Sequence, residues 1–487
     1  MKLKELLKGV KVISSNADMN TEISYVVSDS RKAVKNCVFV AICGGKRDGN
    51  DYACEATEKG AAAIVSEKNI TGVKNLVIVE NARSALAIMH SNYYGNPAKD
   101  MRVIAVTGTN GKTSVSYFIY NILTTAGKRC GLISTVETLI NGEKIDFGGG
   151  GAVTDISSAM TTPDPETLYK ILDVMRKEGC EYVVMEASSH SLSQHRLDGL
   201  HVNVAIFTNL SPEHLDFHGN MENYFASKCI LFENCDTSIV NTDDEYGKRI
   251  AEKYKEKTLT CSLKENSEYR AEQIKCGFDG CEYLLLSDDA TLRINSVICG
   301  EYTVYNTMLA AVCALYLDID AAFICEGIRF TNKISGRLEK YRNYNIYIDY
   351  AHTPRAMENV IKSVRNFAGD KKITVLFGCG GDRDKTKRGV MGRISTSLAD
   401  NTIITSDNPR TEDPYKIIGD ILTGVVKGKE HTVIPDRREA IKYAVKNMEK
   451  DEILLLLGKG HENYEIKGNV KTGFDEREII AEALKEK

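Results

Sequence analysis

The sequence predicts an α/β fold in three domains, built on parallel sheets covered by helices. Short runs rich in Val, Ile and Leu alternate with helical periodicity along the chain, the order that covered parallel sheets require. At 487 residues the chain has room for three domains of about 150 residues each. Turn signals at Tyr94-Gly95-Asn96-Pro97-Ala98 interrupt the alternation just before a strand that runs into a glycine-rich loop. The expected domains are residues 1–97, 98–332 and 333–487.

In the first domain the strand candidates are Val38–Ile42, Ala63–Val65 and Leu76–Val79. The second opens on Arg102–Val106 and continues with Tyr182–Met185, Val204–Phe207 and Ser238–Val240. The third carries Ile346–Ile348, Ile373–Phe377, Ile403–Thr405 and Ile453–Leu457. No internal repeat or low-complexity tract interrupts this order.

The 63 basic and 67 acidic residues leave a net charge of -4, which disfavours broad attraction to nucleic acid or an anionic membrane. Charge interrupts the start, Met1 to Lys8, and the longest apolar run, Leu309 to Leu317, is too short to span a bilayer. The 14 cysteines include no Cys-x-x-Cys pair and read as reduced thiols serving as small apolar side chains. The expectation is a cytoplasmic, monomeric protein without membrane insertion.

Thr107-Gly108-Thr109-Asn110-Gly111-Lys112-Thr113 carries the strongest chemical signal. Val115, Phe118, Ile119, Ile122, Leu123 and Ala126 behind it follow helical spacing, and Gly127 is placed to end the helix. A glycine-rich turn entering a helix presents backbone N–H groups and a positive dipole end to phosphate. Lys112 would reach the outer phosphates and the Thr113 hydroxyl would bind Mg²⁺. Val106 stands where the usual pattern has its first glycine, so the loop is a shortened form.

Other candidates stand at strand ends. Glu186 closes one strand, where open α/β sheets bind ligands, and is a hard oxygen donor for Mg²⁺. On its own a strand-end glutamate is more often a solvated loop residue. His214 and Asp216 lie in the turn after the next strand. Lys228 falls within the apolar stripe of a helix over 222–233 formed by Tyr224, Phe225, Leu231 and Phe232, so it either snorkels outward or meets a specific partner. Asp349 ends a strand ahead of Thr353 and Pro354, an N-cap and first-turn pair. Gly378-Cys379-Gly380-Gly381-Asp382-Arg383 fails the dinucleotide fingerprint because Arg383 stands where its last glycine belongs, so no nicotinamide cofactor is expected.

Together these segments resemble the Mur ligases, ATP-dependent amide-forming enzymes of peptidoglycan synthesis. The resemblance rests on Thr107–Thr113, Glu186–His190, Asn209–Asp216, Tyr305-Asn306, Gly336–Glu339 and Asp349–Pro354, in the family's order. Asp29–Arg31, Thr161–Asp164, Gln194–Arg196, Gly378–Arg383, Asp407–Arg410 and Gly458–Glu462 resemble the members that add the third residue of the stem peptide. The resemblance implies a central P-loop ATP-binding domain, an N-terminal domain for a UDP-sugar and a Rossmann-like C-terminal domain for an amino acid.

It also implies a reaction. ATP would phosphorylate the D-Glu carboxylate of UDP-MurNAc-L-Ala-D-Glu, and an amine would displace phosphate to form an amide. By position, Gly108, Thr109, Asn110, Gly111, Lys112, Thr113, Asn306, Arg337 and Asp349 would hold ATP. Thr113, Glu186, His214 and a carbamylated Lys228 would bind Mg²⁺, and Lys112, Glu186, His214 and Lys228 would form the catalytic set. Ser28, Ser30, Thr161, Thr162, Ser188, Gln194 and Arg196 would hold the UDP-sugar dipeptide. Arg383, Asp407, Asn408, Arg410, Gly458 and Glu462 would hold the incoming amino acid.

That amino acid is expected to be meso-diaminopimelate. Unlike lysine it carries a second carboxylate, which suits the planar fork of Arg410. The alternatives are a lysine-adding member, a folylpolyglutamate synthetase or an inactive nucleotide-binding regulator. Asp29-Ser30-Arg31 argues against the folate enzyme, and retention of the catalytic set against the regulator. Two segments depart from the pattern: Val34-Lys35-Asn36-Cys37 lacks a Pro-Gly turn, and Gly45-Lys46-Arg47 replaces more usual polar residues.

Overall fold

The computed structural model describes residues 1–45, 47–145 and 160–487. Lys46, within the second departure, lies outside them. By internal contacts the chain divides into two units. The first comprises Met1–Gly108, Leu123–Thr208 and Asn220–Thr260, and the second Thr109–Ile122, Asn209–Gly219 and Cys261–Lys487.

The first unit holds two sheets among the described residues. One runs in the order Val12–Ser15, Leu76–Val79, Ala63–Ser66, Cys37–Val40, Tyr25–Val27, with only its first strand antiparallel to its neighbour. Its four parallel strands read as nearly unbroken apolar runs because both faces are covered. Val38, Val40, Val65 and Val77 pack on one side, and Phe39, Ile64 and Leu76 on the other. Asn36 adopts φ 64°, so an asparagine supplies the left-handed turn where a Pro-Gly pair was missing.

In the other sheet Cys235–Asn241, Val202–Phe207, Arg102–Thr107, Tyr182–Glu186 and Cys130–Ile133 are parallel neighbours in that order. Val106 is the register partner of both Glu186 and Ile206, so three strand ends lie side by side. Parallel sheets place their ligand sites at this edge.

The second unit holds the antiparallel strands Tyr269–Gly277, Gly280–Leu286 and Thr291–Ser296, followed by the helix Glu301–Tyr316. A six-stranded sheet there runs in the order Glu339–Lys340, Ile346–Asp349, Ile453–Leu457, Ile373–Phe377, Asn401–Ile404, His431–Val433, parallel after the first pair. Leu455 and Leu457 pack on one face, Leu454 and Leu456 on the other, as a doubly covered sheet requires. Asp349, Leu457 and Phe377 are register neighbours, so the turns that follow them leave one edge.

Helix entries follow local chemistry. The Thr353 hydroxyl accepts the Ala356 N–H, and Pro354 occupies the first turn of Pro354–Ala368. Among the described residues no helix is long and apolar enough to cross a membrane.

Candidate functional site

In the first unit the carboxylate of Glu186 is buried at its strand end, contrary to a solvated loop residue. It accepts the Thr135 N–H at 2.7 Å and the Thr135 hydroxyl at 3.0 Å. That hydroxyl also lies 3.1 Å from Thr161 Oγ1. Thr162 Oγ1 donates to the Glu186 carbonyl at 2.9 Å and accepts the Ser188 N–H at 3.0 Å. Arg196 donates to the Thr162 carbonyl at 2.9 Å and to Gln194 Oε1 at 2.8 Å. The structure therefore joins Glu186, Thr161, Thr162, Ser188, Gln194 and Arg196 in one network. Ser28 is exposed, and Ser30 is buried in a short turn whose carbonyl accepts Lys59 Nζ at 3.0 Å.

Thr135 went unnoticed in the sequence. It lies in a turn after Cys130–Ile133, outside every quoted motif, and only the parallel pairing of that strand with Tyr182–Glu186 brings it to the carboxylate.

Lys228 lies on the helix Met221–Glu233 and is buried rather than snorkelling. Its Nζ donates to the Gly108 carbonyl at 2.9 Å and sits 4.6 Å from the centre of the Tyr224 ring. One lysine thus reaches the first glycine of the phosphate loop.

In the second unit the remainder of that loop is tied to the Asn209–Asp216 turn. Thr109 and Asn110 donate their N–H groups to the carbonyl and Oδ1 of Asn209, at 2.8 and 3.1 Å. Asn209 Nδ2 returns a bond to the Asn110 carbonyl, and Ser211 donates to Thr109 Oγ1. Gly111, at φ 88°, supplies the left-handed bend into the helix Lys112–Thr125. Lys112 Nζ donates to the Thr109 carbonyl, and Arg337 Nη2 to Thr113 Oγ1 at 3.0 Å.

Glu213 is the centre that sequence reasoning missed. His352 Nε2 lies 3.5 Å from its Oε1 and His214 Nε2 3.9 Å from it. Burial alone would raise this carboxyl, but the charges of His352, His214 and Lys112 bring it down to about 2. Nothing in a lone glutamate of a Ser-Pro-Glu-His turn signals that a histidine 139 positions later faces it.

Asp349 accepts the N–H groups of Leu338 at 2.6 Å and Ala351 at 2.8 Å. Burial nonetheless holds its carboxyl above the ordinary value, against the opposing charge of Arg337. Arg337 also lies over the Tyr350 ring at 5.0 Å. Asn306 is buried on the Glu301–Tyr316 helix.

A further cluster sits at the strand ends after Ile404 and Leu457. Asn408 Nδ2 donates to Glu462 Oε2 at 2.8 Å, and Asn408 Oδ1 accepts Lys459 Nζ at 3.0 Å. Burial and the neighbouring Asp407 raise the Glu462 carboxyl. Burial also opposes ionisation of Asp407, but Lys459 and Arg437 hold it below its usual value. Gly458, at φ 114°, leaves its Cβ position 2.8 Å from Asp407 Oδ2, so a side chain there would strike the carboxylate. Lys459, fully buried, belongs to a quoted motif but was not singled out.

Arg410 is not a free surface residue: its Nη1 donates to the Gly381 carbonyl at 2.9 Å. The Gly380 Cβ position is 2.9 Å from that Nη1 and 3.7 Å from Arg383 Cγ. Asp382 accepts from Thr411, while Glu412 accepts the Asp382 N–H and both ends of the buried Arg388 guanidinium. These bonds staple the Gly378–Arg383 and Asp407–Arg410 turns together.

Residues 106–314 match the Mur ligase middle domain, and residues 336–460 match the Mur ligase glutamate ligase domain. The chain is 40% identical over 496 residues to the UDP-N-acetylmuramoyl-L-alanyl-D-glutamate–2,6-diaminopimelate ligase of Clostridium tetani, covering 100% of each. It is 41% identical over 495 residues to the ligase of the same name from Caldanaerobacter subterraneus, covering 100% of this chain and 99% of that one. A solved structure titled as a UDP-N-acetylmuramoyl-L-alanyl-D-glutamate–2,6-diaminopimelate ligase superposes with a TM-score of 0.72 at 29% identity, over 100% of this chain and 99% of the other.

Proposed function

Because the chain belongs to the Mur ligase family, whose members are ATP-dependent amide ligases, we propose that it joins meso-diaminopimelate to the D-Glu of UDP-MurNAc-L-Ala-D-Glu. The observation that carries this reading is full-length identity of 40% to a diaminopimelate ligase. The acid pair Asp407 and Glu462, beside the turn that bears Arg410, supports it. The proposed domains are 1–97, 98–332 and 333–487; the sheet of Val12–Val79 falls within the first and that of Glu339–Leu457 within the third. The enzyme is read as a cytoplasmic monomer.

A carboxylate is a poor acyl donor, and phosphorylation gives it a leaving group. The chain must therefore hold two anions together and exclude water from the acyl phosphate. The N-terminus of the Lys112–Thr125 helix and the Lys112 ammonium suit the phosphates, and Arg337, hydrogen-bonded to Thr113, adds a second cation. Thr162, Ser188, Gln194 and Arg196 form a partly buried polar network suited to the dipeptide. Asp407 and Glu462 suit the ammonium of the amino acid, and Arg410 its distal carboxylate.

The oxygens of Thr113 and Glu186 suit Mg²⁺, and the His214 imidazole would serve a second ion. An ammonium cannot ligate a cation. Lys228 would gain a ligating oxygen only after its ammonium loses one proton and carbon dioxide adds to the free Nζ amine with loss of a second, forming a carbamate. When bound, Mg²⁺ would neutralise charge on the phosphates and the acyl group.

The test is phosphate release in the presence of ATP, Mg²⁺ and UDP-MurNAc-L-Ala-D-Glu. Release with diaminopimelate and not with lysine is expected. Release with lysine alone would reassign the amine, and none with either would favour a regulator.

A further inference from the structure

Outside the proposed site, two cysteines face each other on one hairpin. Gly277 and Gly280 pair across the two-residue turn Phe278-Asp279, and the next pair along the ladder is Cys276 with Cys281. In antiparallel geometry the pair flanking a two-residue turn is hydrogen-bonded, so the following pair is the close, non-hydrogen-bonded one. Its Cα atoms stand about 4.5 Å apart with both side chains on the same face. That separation lies within the range of about 4.4–6.8 Å spanned by disulfides.

The two thiols differ in access. Cys281 is buried, with its Sγ donating to the Gly300 carbonyl at 3.3 Å. Cys276 is half-buried and lines a cavity of about 340 Å³ with Lys264, Ile274, Glu301 and Phe367. A small reagent therefore has a route to Cys276, while Cys281 waits behind it.

We propose that Cys276 and Cys281 form a reversible dithiol–disulfide site, oxidised by a small disulfide such as glutathione disulfide. The Cys276 thiolate attacks one sulfur of the reagent, whose S–S bond breaks, and one small thiolate leaves and takes up a proton. Cys281 then gives its proton to solvent and attacks Cys276 Sγ, expelling the second small thiol. Two protein thiols are oxidised and one small disulfide is reduced to two thiols. The mutual influence of the two thiols supports this assignment of roles, since the neighbouring thiol lowers Cys276 while its counterpart and burial raise Cys281. The link would also remove the Cys281 donor from Gly300, the residue that starts the Asn306 helix.

The test incubates the full chain with glutathione disulfide, alkylates the remaining thiols and maps unreduced peptides. Exposed Cys43 and Cys54 report that the reagent has reacted. The expected product is a Cys276–Cys281 peptide two hydrogens lighter than its dithiol form, dominant once Cys43 and Cys54 are modified and restored by dithiothreitol. Cys281→Ser should stop at a stable glutathione adduct on Cys276. If the unsubstituted chain yields Cys276 alkylated, or held as that adduct, while Cys43 and Cys54 are fully modified, the proposal fails.

Discussion

Glu213 and Glu462 are both mostly buried carboxylates of the second unit, and desolvation pushes both upward. Glu213 nevertheless ends at about 2, because His352, His214 and Lys112 surround it. Glu462 ends above its ordinary value, because burial and then the neighbouring Asp407 outweigh Lys459, Asn408 and His352. Burial enlarges the electrostatic interaction at each site, while the sign of the neighbours decides its direction. One region gathers cations and the other carboxylates, the division that the proposed joining of an activated carboxylate to an amine would use.

The harshest way to break this contrast is to remove a cation from the anionic side. Lys112→Ala should lower the rate of phosphate release by roughly a thousandfold, the upper range for losing one pre-organised charge donor. A fall of less than about tenfold would move the phosphoryl site elsewhere.

Next in size is the acid response of Glu213. Its folded value lies below the unfolded one, so its contribution is fully present above about pH 4.5 and is lost as pH falls towards about 2. That span corresponds to roughly 3 kcal/mol. Denaturant unfolding of Glu213→Gln and of the unsubstituted chain should differ by this order at about pH 5, where the facing histidines carry charge, and converge near pH 2. Parallel curves across that range would mean that the cations do not act on this carboxylate.

On the amine side, Arg410→Ala should raise KM for diaminopimelate at least about thirtyfold while leaving KM for ATP unchanged, because a desolvated charge pair loses one partner. An equal rise for both substrates would mark Arg410 as part of the general scaffold. The smallest effect belongs to Glu462→Gln, with KM for diaminopimelate up about tenfold, the value of a charged hydrogen bond. Because the folded value of Glu462 is raised, its ionisation costs stability as pH rises through the carboxylate range. The amide variant should therefore unfold no more easily than the unsubstituted chain at pH 7. Easier unfolding would show that the negative charge is stabilising there.

Much of the fold was legible because strand ends coincide with turn chemistry. Leu76–Val79, Ile373–Phe377 and Ile453–Leu457 have the expected bounds. Val204–Phe207 and Ser238–Val240 extend two and three residues earlier than expected, through Val202 and Cys235. Their polar members Asn203 and Asp236 bond one another across the parallel ladder, a pairing no local pattern announces. Lys228 was visible as an anomaly in an apolar stripe, but its direction was not, since snorkelling and inward burial share the same spacing.

From the sequence alone came the α/β alternation, the phosphate loop and the family, because these rest on local periodicity and ordered short motifs. Tertiary structure decided which distant groups meet. Thr135 reaches Glu186 only through strand pairing, and His352 reaches Glu213 only through folding of the second unit. The physical reason is that an electrostatic environment depends on distance in space and on excluded water, neither of which is written in residue spacing.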